Sequence, residues 1–228
     1  LWNDFPVGTM AISAGPLMAG SAVFRVQVQG RGGHGASPHQ TADPLLAAAQ
    51  IVTALQSVVA RNVAPLEAAV VSVCSLRAGE AFNVIPDQAE LRGTLRWFTP
   101  TVGQTLRQRF EQIVRGVGAA MGCAVTIEVR DLTLPVINDA AVIEQVRSVA
   151  RRILPEAQLI GEYRTMGSED WAFFLQQVPG CMVFVGSANE EKGLNAPHHH
   201  PRFDFDEAAL PQAVALVAGW ALGRMEQA

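Results

Sequence analysis

Residues 88–97 alternate without a break: Ala89, Leu91, Gly93, Leu95 and Trp97 fall on one side, Gln88, Glu90, Arg92, Thr94 and Arg96 on the other. A period of two over that length is the mark of a strand with one dry and one wet face. It commits its neighbourhood to a sheet covered on one side, with apolar structure laid across Leu91, Leu95 and Trp97. Residues 22–29 repeat the pattern, Phe24, Val26 and Val28 alternating with Arg25, Gln27 and Gln29. The Val-rich run 67–76 and the short run 125–129 supply two more strands. Two helical stretches lie between them. Asp43-Pro44 opens the first, Asp as N-cap and Pro at the first helical position, and Leu45, Ala48, Val52, Leu55 and Val59 give it an apolar face. The second runs from about 102 to 121 on Val102, Leu106, Phe110, Ile113, Val117 and Met121. The order β-α-β-β-α-β predicts a ferredoxin-like sandwich over residues 20–132, one antiparallel sheet with two helices on one face.

The remainder has a different character. Asn138 is expected to cap a helix carrying Val142, Ile143, Val146, Val149 and Ile153, which Pro155 ends. Gly167-Ser168-Glu169-Asp170 leads into a short amphipathic helix over 171–178. Residues 181–186 form an apolar run bounded by glycines, as suits a strand buried on both faces. A last helix spans about 206–225. Helix–strand–helix around such a strand belongs to an α/β layer, and one or two strands make that layer incomplete. The predicted class is therefore α/β with an inserted α+β sandwich. Residues 1–19 and 133–228 form part of one domain, and 20–132 form the other.

A net charge of −4 with no basic run gives no support for nucleic-acid binding. No uninterrupted apolar stretch reaches about 18 residues, so no membrane-spanning helix and no membrane partner are expected. Cys74, Cys123 and Cys181 are odd in number and far apart. They read as buried free thiols of a cytoplasmic protein rather than a disulfide framework. Leu1-Trp2-Asn3-Asp4-Phe5-Pro6 has neither an initiator Met nor a signal-peptide pattern, and looks like a chain entered midway.

Three of the five histidines are consecutive, His198 to His200, between Pro197 and Pro201. The prolines disfavour helix and strand there. Neutral imidazole is a good ligand for zinc and similar ions, so the run reads either as one part of a metal site or as a surface loop. Gly30-Arg31-Gly32-Gly33-His34-Gly35 matches G-x-G-x-x-G in letters, but the next helix starts too late for a dinucleotide fold. The glycines more naturally turn the backbone and present His34. Arg96, on the wet face of its strand, suits either a solvated surface or a carboxylate clamp. Asn83 suits either a turn or a donor to a substrate oxygen. Glu169 and Asp170 are acid/base candidates that equally fit the first turn of a helix. No Gly-x-Ser-x-Gly elbow and no Cys–His pair is present, which leaves nucleophilic catalysis without support.

Four stretches taken together resemble the zinc-dependent aminoacylase/carboxypeptidase family of metallohydrolases, most of all its N-acyl-amino-acid amidohydrolase (hippurate hydrolase) branch. They are Gly33-His34-Gly35-Ala36-Ser37-Pro38-His39 with Asp43-Pro44; Phe82-Asn83-Val84-Ile85-Pro86 with Gly93-Thr94-Leu95-Arg96; Met166-Gly167-Ser168-Glu169-Asp170; and His199-His200-Pro201-Arg202-Phe203-Asp204. The resemblance implies a two-metal α/β catalytic domain, with the βαββαβ unit inserted as a lid that also makes a homodimer. It implies that His34 reaches the partner's active site and hydrogen-bonds the developing oxyanion, and that Asn83 and Arg96 hold the substrate's free carboxylate. By the same resemblance, Gly167 and Ser168 line the pocket and His199 is a metal ligand. Two divalent ions (zinc, manganese, cobalt or nickel) would activate water against an amide, and a glutamate would carry its proton.

The family's remaining metal ligands and general-base Glu come from a segment N-terminal to anything in these 228 residues. The expectation is a metal-dependent hydrolase of N-acyl amino acids, acting on a small molecule with a free carboxylate, whose isolated 228-residue chain is inactive. The alternative is a non-catalytic dimerisation or small-carboxylate-binding module.

Overall fold

Two strands of three residues each, invisible to any periodicity argument, complete the layer that sequence alone leaves open. The computed structural model describes residues 1–225. The chain divides into two compact units: Leu1–Leu17, Val136–Thr165 and the residues from Trp171 onward form one, and Met18–Pro135 with Met166–Asp170 form the other. In chain order, β1 (Trp2–Pro6), β2 (Thr9–Ala11) and β3 (Gly15–Met18) come first. Next are β4 (Gly20–Gln29), β5 (Gly33–His34), α1 (Pro44–Asn62), β6 (Ala69–Ala78) and β7 (Val84–Ile85). They are followed by β8 (Gln88–Trp97), α2 (Pro100–Ala120) and β9 (Ala124–Thr133). The last group is β10 (Val136–Asn138), α3 (Ala140–Ile153), β11 (Gln158–Ile160), α4 (Trp171–Leu175), β12 (Phe184–Ala188) and α5 (Ala209–Met225).

In the second unit the sheet order is β6-β8-β4-β9, every neighbouring pair antiparallel. β4-α1-β6-β8-α2-β9 is thus the split-βαβ sandwich that the alternating strands predict. β4 and β8 pair without a slip from Gly20↔Trp97 to Gln29↔Gln88. Their inward residues, among them Phe24, Val26, Leu91 and Leu95, meet Ile51 and Leu55 of α1 and Leu106 and Phe110 of α2. The Phe24 and Phe110 rings lie 4.6 Å apart. Gly93 stands opposite Phe24, and a Cβ there would collide with the Phe24 ring and the Ser72 carbonyl. The inward alternation therefore uses glycine at this point because a neighbour's ring fills the space.

Both helices start as their sequences dictate. Asp43 accepts from the Leu45 and Leu46 amides at 2.9 and 3.1 Å, with Pro44 first in α1. Thr99 does the same for Val102 ahead of Pro100 in α2. The buried stripe of α1 is Ala47, Ala48, Ile51, Leu55 and Val58, about one position out of phase with the stripe predicted; Leu45 and Leu46 are exposed. Cys74 is also exposed rather than buried. The β6–β8 register slips between Val73 and Ser75, and the bulge turns Cys74 away from the core.

The first unit has a mixed sheet of order β1-β12-β2-β11, so the layer has four strands rather than one or two. β12 runs parallel to β1 and antiparallel to β2, and β11 is parallel to β2. All five residues of β12 are buried, three positions downstream of the apolar run predicted as the strand. Met10, Ile12, Ile143, Val146, Val185 and Leu216 form the centre of its core. β10 pairs with β3.

Asp139, not Asn138, caps α3, accepting from the Val142 amide at 2.9 Å. Asn138 is buried, and its amide donates to Ser13 O and Met182 O and accepts from Met182 N, each at 2.8 Å. The residue predicted as a cap is instead an internal cross-link.

Candidate active site

The glycine-rich turn after β4 is pinned to the chain ahead of β8. Gly33 pairs with Ile85 and His34 with Val84, and the Gly35 amide donates to Asn83 O at 2.8 Å. A Cβ on Gly32 would meet the Ile85 carbonyl and the backbone of Pro86, so the close approach requires glycine. His34, Phe82 and Asn83 are thereby gathered at one corner of the sandwich unit, all exposed. His34 Nδ1 accepts from the Ala36 amide at 3.0 Å. In neutral imidazole that places the proton on Nε2, so the ring's outward nitrogen is a hydrogen-bond donor. A donor of that kind suits a developing oxyanion.

Arg96 lies at the opposite end of β8. Its Nη1 donates to Met166 O at 2.7 Å and reaches Ser168 Oγ at 3.5 Å. Ser21 Oγ donates to Ser168 Oγ at 3.3 Å, and the Ala19 amide donates to Gly167 O at 2.9 Å. Met166–Asp170 is therefore strapped along this end of the sheet and joins the sandwich unit, not the α/β unit that its place in the sequence suggests. The strap leaves the Nε–Nη2 edge of Arg96 without a partner among the described residues. That edge is the side-on face that receives a carboxylate in a bidentate pair.

From Gln88 to Arg96 the uninterrupted strand covers about 26 Å, at ~3.3 Å per residue. His34 and Asn83 thus share one end of the sandwich, while Arg96, Gly167 and Ser168 share the other. A single chain does not bring Asn83 and Arg96 to one carboxylate.

His198–His200 occupies a turn in the other unit. The His200 amide donates to Pro197 O and the Phe203 amide to His200 O. The three rings differ sharply. His198 stacks on Trp2 with centroids 4.6 Å apart and packs on Phe203 at 4.7 Å, and burial lowers its pKa. His200 Nδ1 accepts from the Arg202 amide. His199 is exposed and adopts φ 66°, alone among the described non-glycine residues in having a positive φ. His200 is exposed as well, but its Nδ1 is engaged by the loop, whereas no hydrogen bond to either ring nitrogen of His199 is made within the loop. One imidazole does not make a metal site, which needs three or four protein ligands. Among the described residues no group of three or more His, Cys, Asp or Glu side chains is placed to hold a metal ion. The residues present therefore do not build a di-metal centre.

Sequence reasoning missed the polar scaffold beneath this turn. Asn3, buried, donates from Nδ2 to Ala196 O at 3.0 Å and to Asp204 O at 2.7 Å, and accepts from Ser187 Oγ at 2.6 Å. Asp206 accepts from Asn189, Lys192 and the Ala208 amide, and these bonds, led by the one from Lys192, depress its pKa to about 2. Tyr163 donates to Asp4 and accepts from Trp2 Nε1, both at 2.8 Å. Burial and the bond to Asp4 push its phenol up to about 12. The only signal in the sequence is an Asn set among apolar residues in Trp2-Asn3-Asp4-Phe5. Its partners are 184 to 201 residues away.

Comparison with known proteins supplies what one chain's geometry does not. Residues 4–222 match the model of peptidase family M20/M25/M40. An IAA-amino acid hydrolase ILR1-like 4 from Arabidopsis thaliana is 34% identical over 223 residues, covering 96% of this chain and 51% of that protein. An N-acetyl-L-cysteine deacetylase from Bacillus subtilis is 35% identical over 210 residues, covering 92% and 49%. The crystal structure of Bacillus subtilis YXEP, a dinuclear metal-binding peptidase of the M20 family, superposes with a TM-score of 0.79 at 30% identity, covering 98% of this chain and 55% of that one. The chain spans about half the length of the relatives it matches.

Proposed function

Since the chain belongs to peptidase family M20/M25/M40, we propose that it is the substrate-gripping portion of an amidohydrolase that cleaves N-acyl amino acids into a carboxylic acid and a free amino acid. The observation that carries this reading is Arg96: its Nη1 is anchored on Met166 O while its Nε–Nη2 edge stays open. An amino acid leaving group brings a free α-carboxylate, and this fork fits it at one end while the scissile amide lies a few bonds away. His34, with Nε2–H outward, donates to the carbonyl oxygen as negative charge develops on it. Asn83 sits beside His34 and gives a second polar contact.

Because His34 and Asn83 lie at the Gln88 end of the sandwich and Arg96 at the other, about 26 Å away along β8, two chains are needed to bring both groups to one substrate. A homodimer through the sandwich unit meets that need. His199 is the candidate ligand for one of two divalent ions (zinc, manganese, cobalt or nickel). The remaining ligands and the proton-carrying carboxylate belong, in this proposal, to the half of the relatives that these 228 residues do not span. The rival reading, a carboxylate-binding module without catalysis, is favoured by the absence of a complete ligand cluster among the described residues.

The test is hydrolysis of hippurate and N-acetyl amino acids by the complete natural polypeptide with added metal, comparing wild type with Arg96→Ala. Losing a charge-assisted pair is worth about 1.5–3 kcal/mol, a drop of roughly 10- to 150-fold in kcat/KM on substrates with a free carboxylate. Carboxylate-blocked esters should be nearly unaffected. Equal losses on both would remove the clamp, and binding of the acids without hydrolysis under any metal would select the module.

A further inference from the structure

α5 is built as an interior helix, yet one of its sides faces water. Gln212 and Arg224 are the polar exceptions in an otherwise apolar run from Ala209 to Met225. One side packs as expected: Ala209, Ala213, Leu216 and Trp220 join the core of the α/β unit. There Gly219 lies so close to α3 that a Cβ on it would strike Ile153. The opposite side carries Leu210, Val214, Val217, Ala221 and Met225, spaced i, i+4, i+7, i+11 and i+15, and all of them are exposed. Val214 and Val217 are 66% and 65% exposed, and Met225 76%. At ~1.5 Å per residue the stripe runs about 22 Å along the helix. Gln212 shows the reverse placement: its Oε1 is buried and has no hydrogen-bond partner among the described residues. A helix that is apolar on both sides belongs between two packed layers.

Area decides between a second copy and more of the same polypeptide as the missing layer. The stripe exposes roughly 500 Å², as large as a typical monomer's largest apolar patch. Each partner in a stable dimer contributes about 800 Å². A segment joined to α5 through the chain needs less, because the connection itself keeps it close. The relatives have the length for it, since this chain spans about half of theirs. The shape fits a helix: Ala218 and Ala221, small and exposed, let a second axis approach to about 8–10 Å, and the i, i+4 row is a ridge for its groove. We propose that the outer stripe of α5 is a docking surface within the complete polypeptide, covered by an apolar helix from the half of the relatives' length that these residues do not span. The inference rests on the reading of this chain as a portion of a longer amidohydrolase, and it names the surface that the remainder closes.

The experiment places a thiol on the stripe, Val217→Cys, with Cys74→Ser removing the exposed native thiol. Iodoacetamide labelling is timed in the complete natural polypeptide, in the 228-residue chain, and in each protein unfolded in urea. The complete polypeptide should protect the new thiol by about tenfold or more relative to its unfolded form, at every protein concentration, and the 228-residue chain should leave it unprotected. Labelling of the folded complete polypeptide as fast as the unfolded one would overturn the proposal. Protection that fades on dilution, or that appears in the 228-residue chain as its concentration rises, would also overturn it, with a second copy as the cover. A paired substitution reads the same contact through stability. Val214→Lys with Val217→Lys should lower Tm of the complete polypeptide by roughly 5 °C or more, while leaving that of the 228-residue chain within about 2 °C. Shifts equally small in both would count against the docking. If the lysine pair prevents folding of the complete polypeptide, the conservative cysteine decides alone. Hippurate hydrolysis by the same preparations keeps the two readings apart. Activity with a freely labelled thiol sinks only the docking, and protection without hydrolysis under any metal sinks only the substrate reading.

Discussion

Replacing Asn138 by Ala tests the internal wiring of the α/β unit more sharply than any substitution in its core. Asn138 is 3% exposed, and its side-chain amide makes three hydrogen bonds of 2.8 Å, to Ser13 O, Met182 O and Met182 N. Truncation removes all three and leaves backbone groups of two distant segments without partners. At about 1 kcal/mol per lost bond, and up to 3 where a buried group stays unsatisfied, the cost is roughly 3–5 kcal/mol. Asp139→Ala removes a single cap bond to Val142 and should cost about 1 kcal/mol. For a chain of this size each kcal/mol moves Tm by ~2–4 °C, so the two variants should fall by roughly 6–20 °C and 2–4 °C respectively. Urea unfolding followed by tryptophan fluorescence reads the same difference, since Trp2, Trp171 and Trp220 all lie in this unit. If Asp139→Ala proves as costly as Asn138→Ala, Asn138 is not a cross-link and the reasoning fails.

Other consequences are equally direct. Tyr163 is the only tyrosine, so an ultraviolet pH titration of the folded chain should show phenol ionisation near pH 12 instead of the usual ~10. The folded state favours the neutral phenol, so the associated stability is complete below pH ~10 and lost as pH rises toward 12; ionisation at the ordinary pH would refute the burial argument. Asp206 has the opposite sign. Its depressed carboxyl stabilises the fold above pH ~4, and that contribution should disappear as pH falls toward 2. Urea midpoints of Asp206→Asn should show a flatter acid limb than wild type, and parallel limbs would count against the cluster with Lys192 and Asn189. Iodoacetamide at neutral pH should label Cys74 first, because Cys74 is exposed at its bulge. Burial and the Asp139 carboxylate hold the Cys181 thiol up at about 11, and burial raises Cys123. Peptide mapping that finds Cys181 modified as fast would contradict this.

What the sequence reveals depends on how far away the cause lies. The alternation of 88–97 and the Asp43-Pro44 opening are local, and the sandwich follows from them in correct order. β2 and β11 are too short to show a period and exist only because β12 lies alongside β2. Asn138 and Asp139 are adjacent and equally good caps by type. The choice between them is made by Ser13 and Met182, 125 and 44 residues away. Cys74 reads as a core thiol until a register slip against β8 turns it out. The site follows the same rule. His34, Asn83, Arg96 and His199 stand in short motifs and are legible as candidates, whereas Asn3 makes its hydrogen bonds with partners near the other end of the chain. The pairing of His34 with Asn83, and of Arg96 with Ser168, at opposite ends of one strand was legible only once β8 had a length.

In the proposed function two chains complete one substrate site, His34 coming from one and Arg96 from the other. Subunit complementation in the complete natural polypeptide tests it most directly. His34→Ala and Arg96→Ala should each lose most of their amide hydrolysis when assayed alone. Unfolded together and refolded, they should form mixed dimers in which one of two sites is intact, recovering about a quarter of wild-type activity from a statistical mixture of symmetric dimers. Recovery at that level is the predicted result, and a mixture as inactive as its parents would contradict the account.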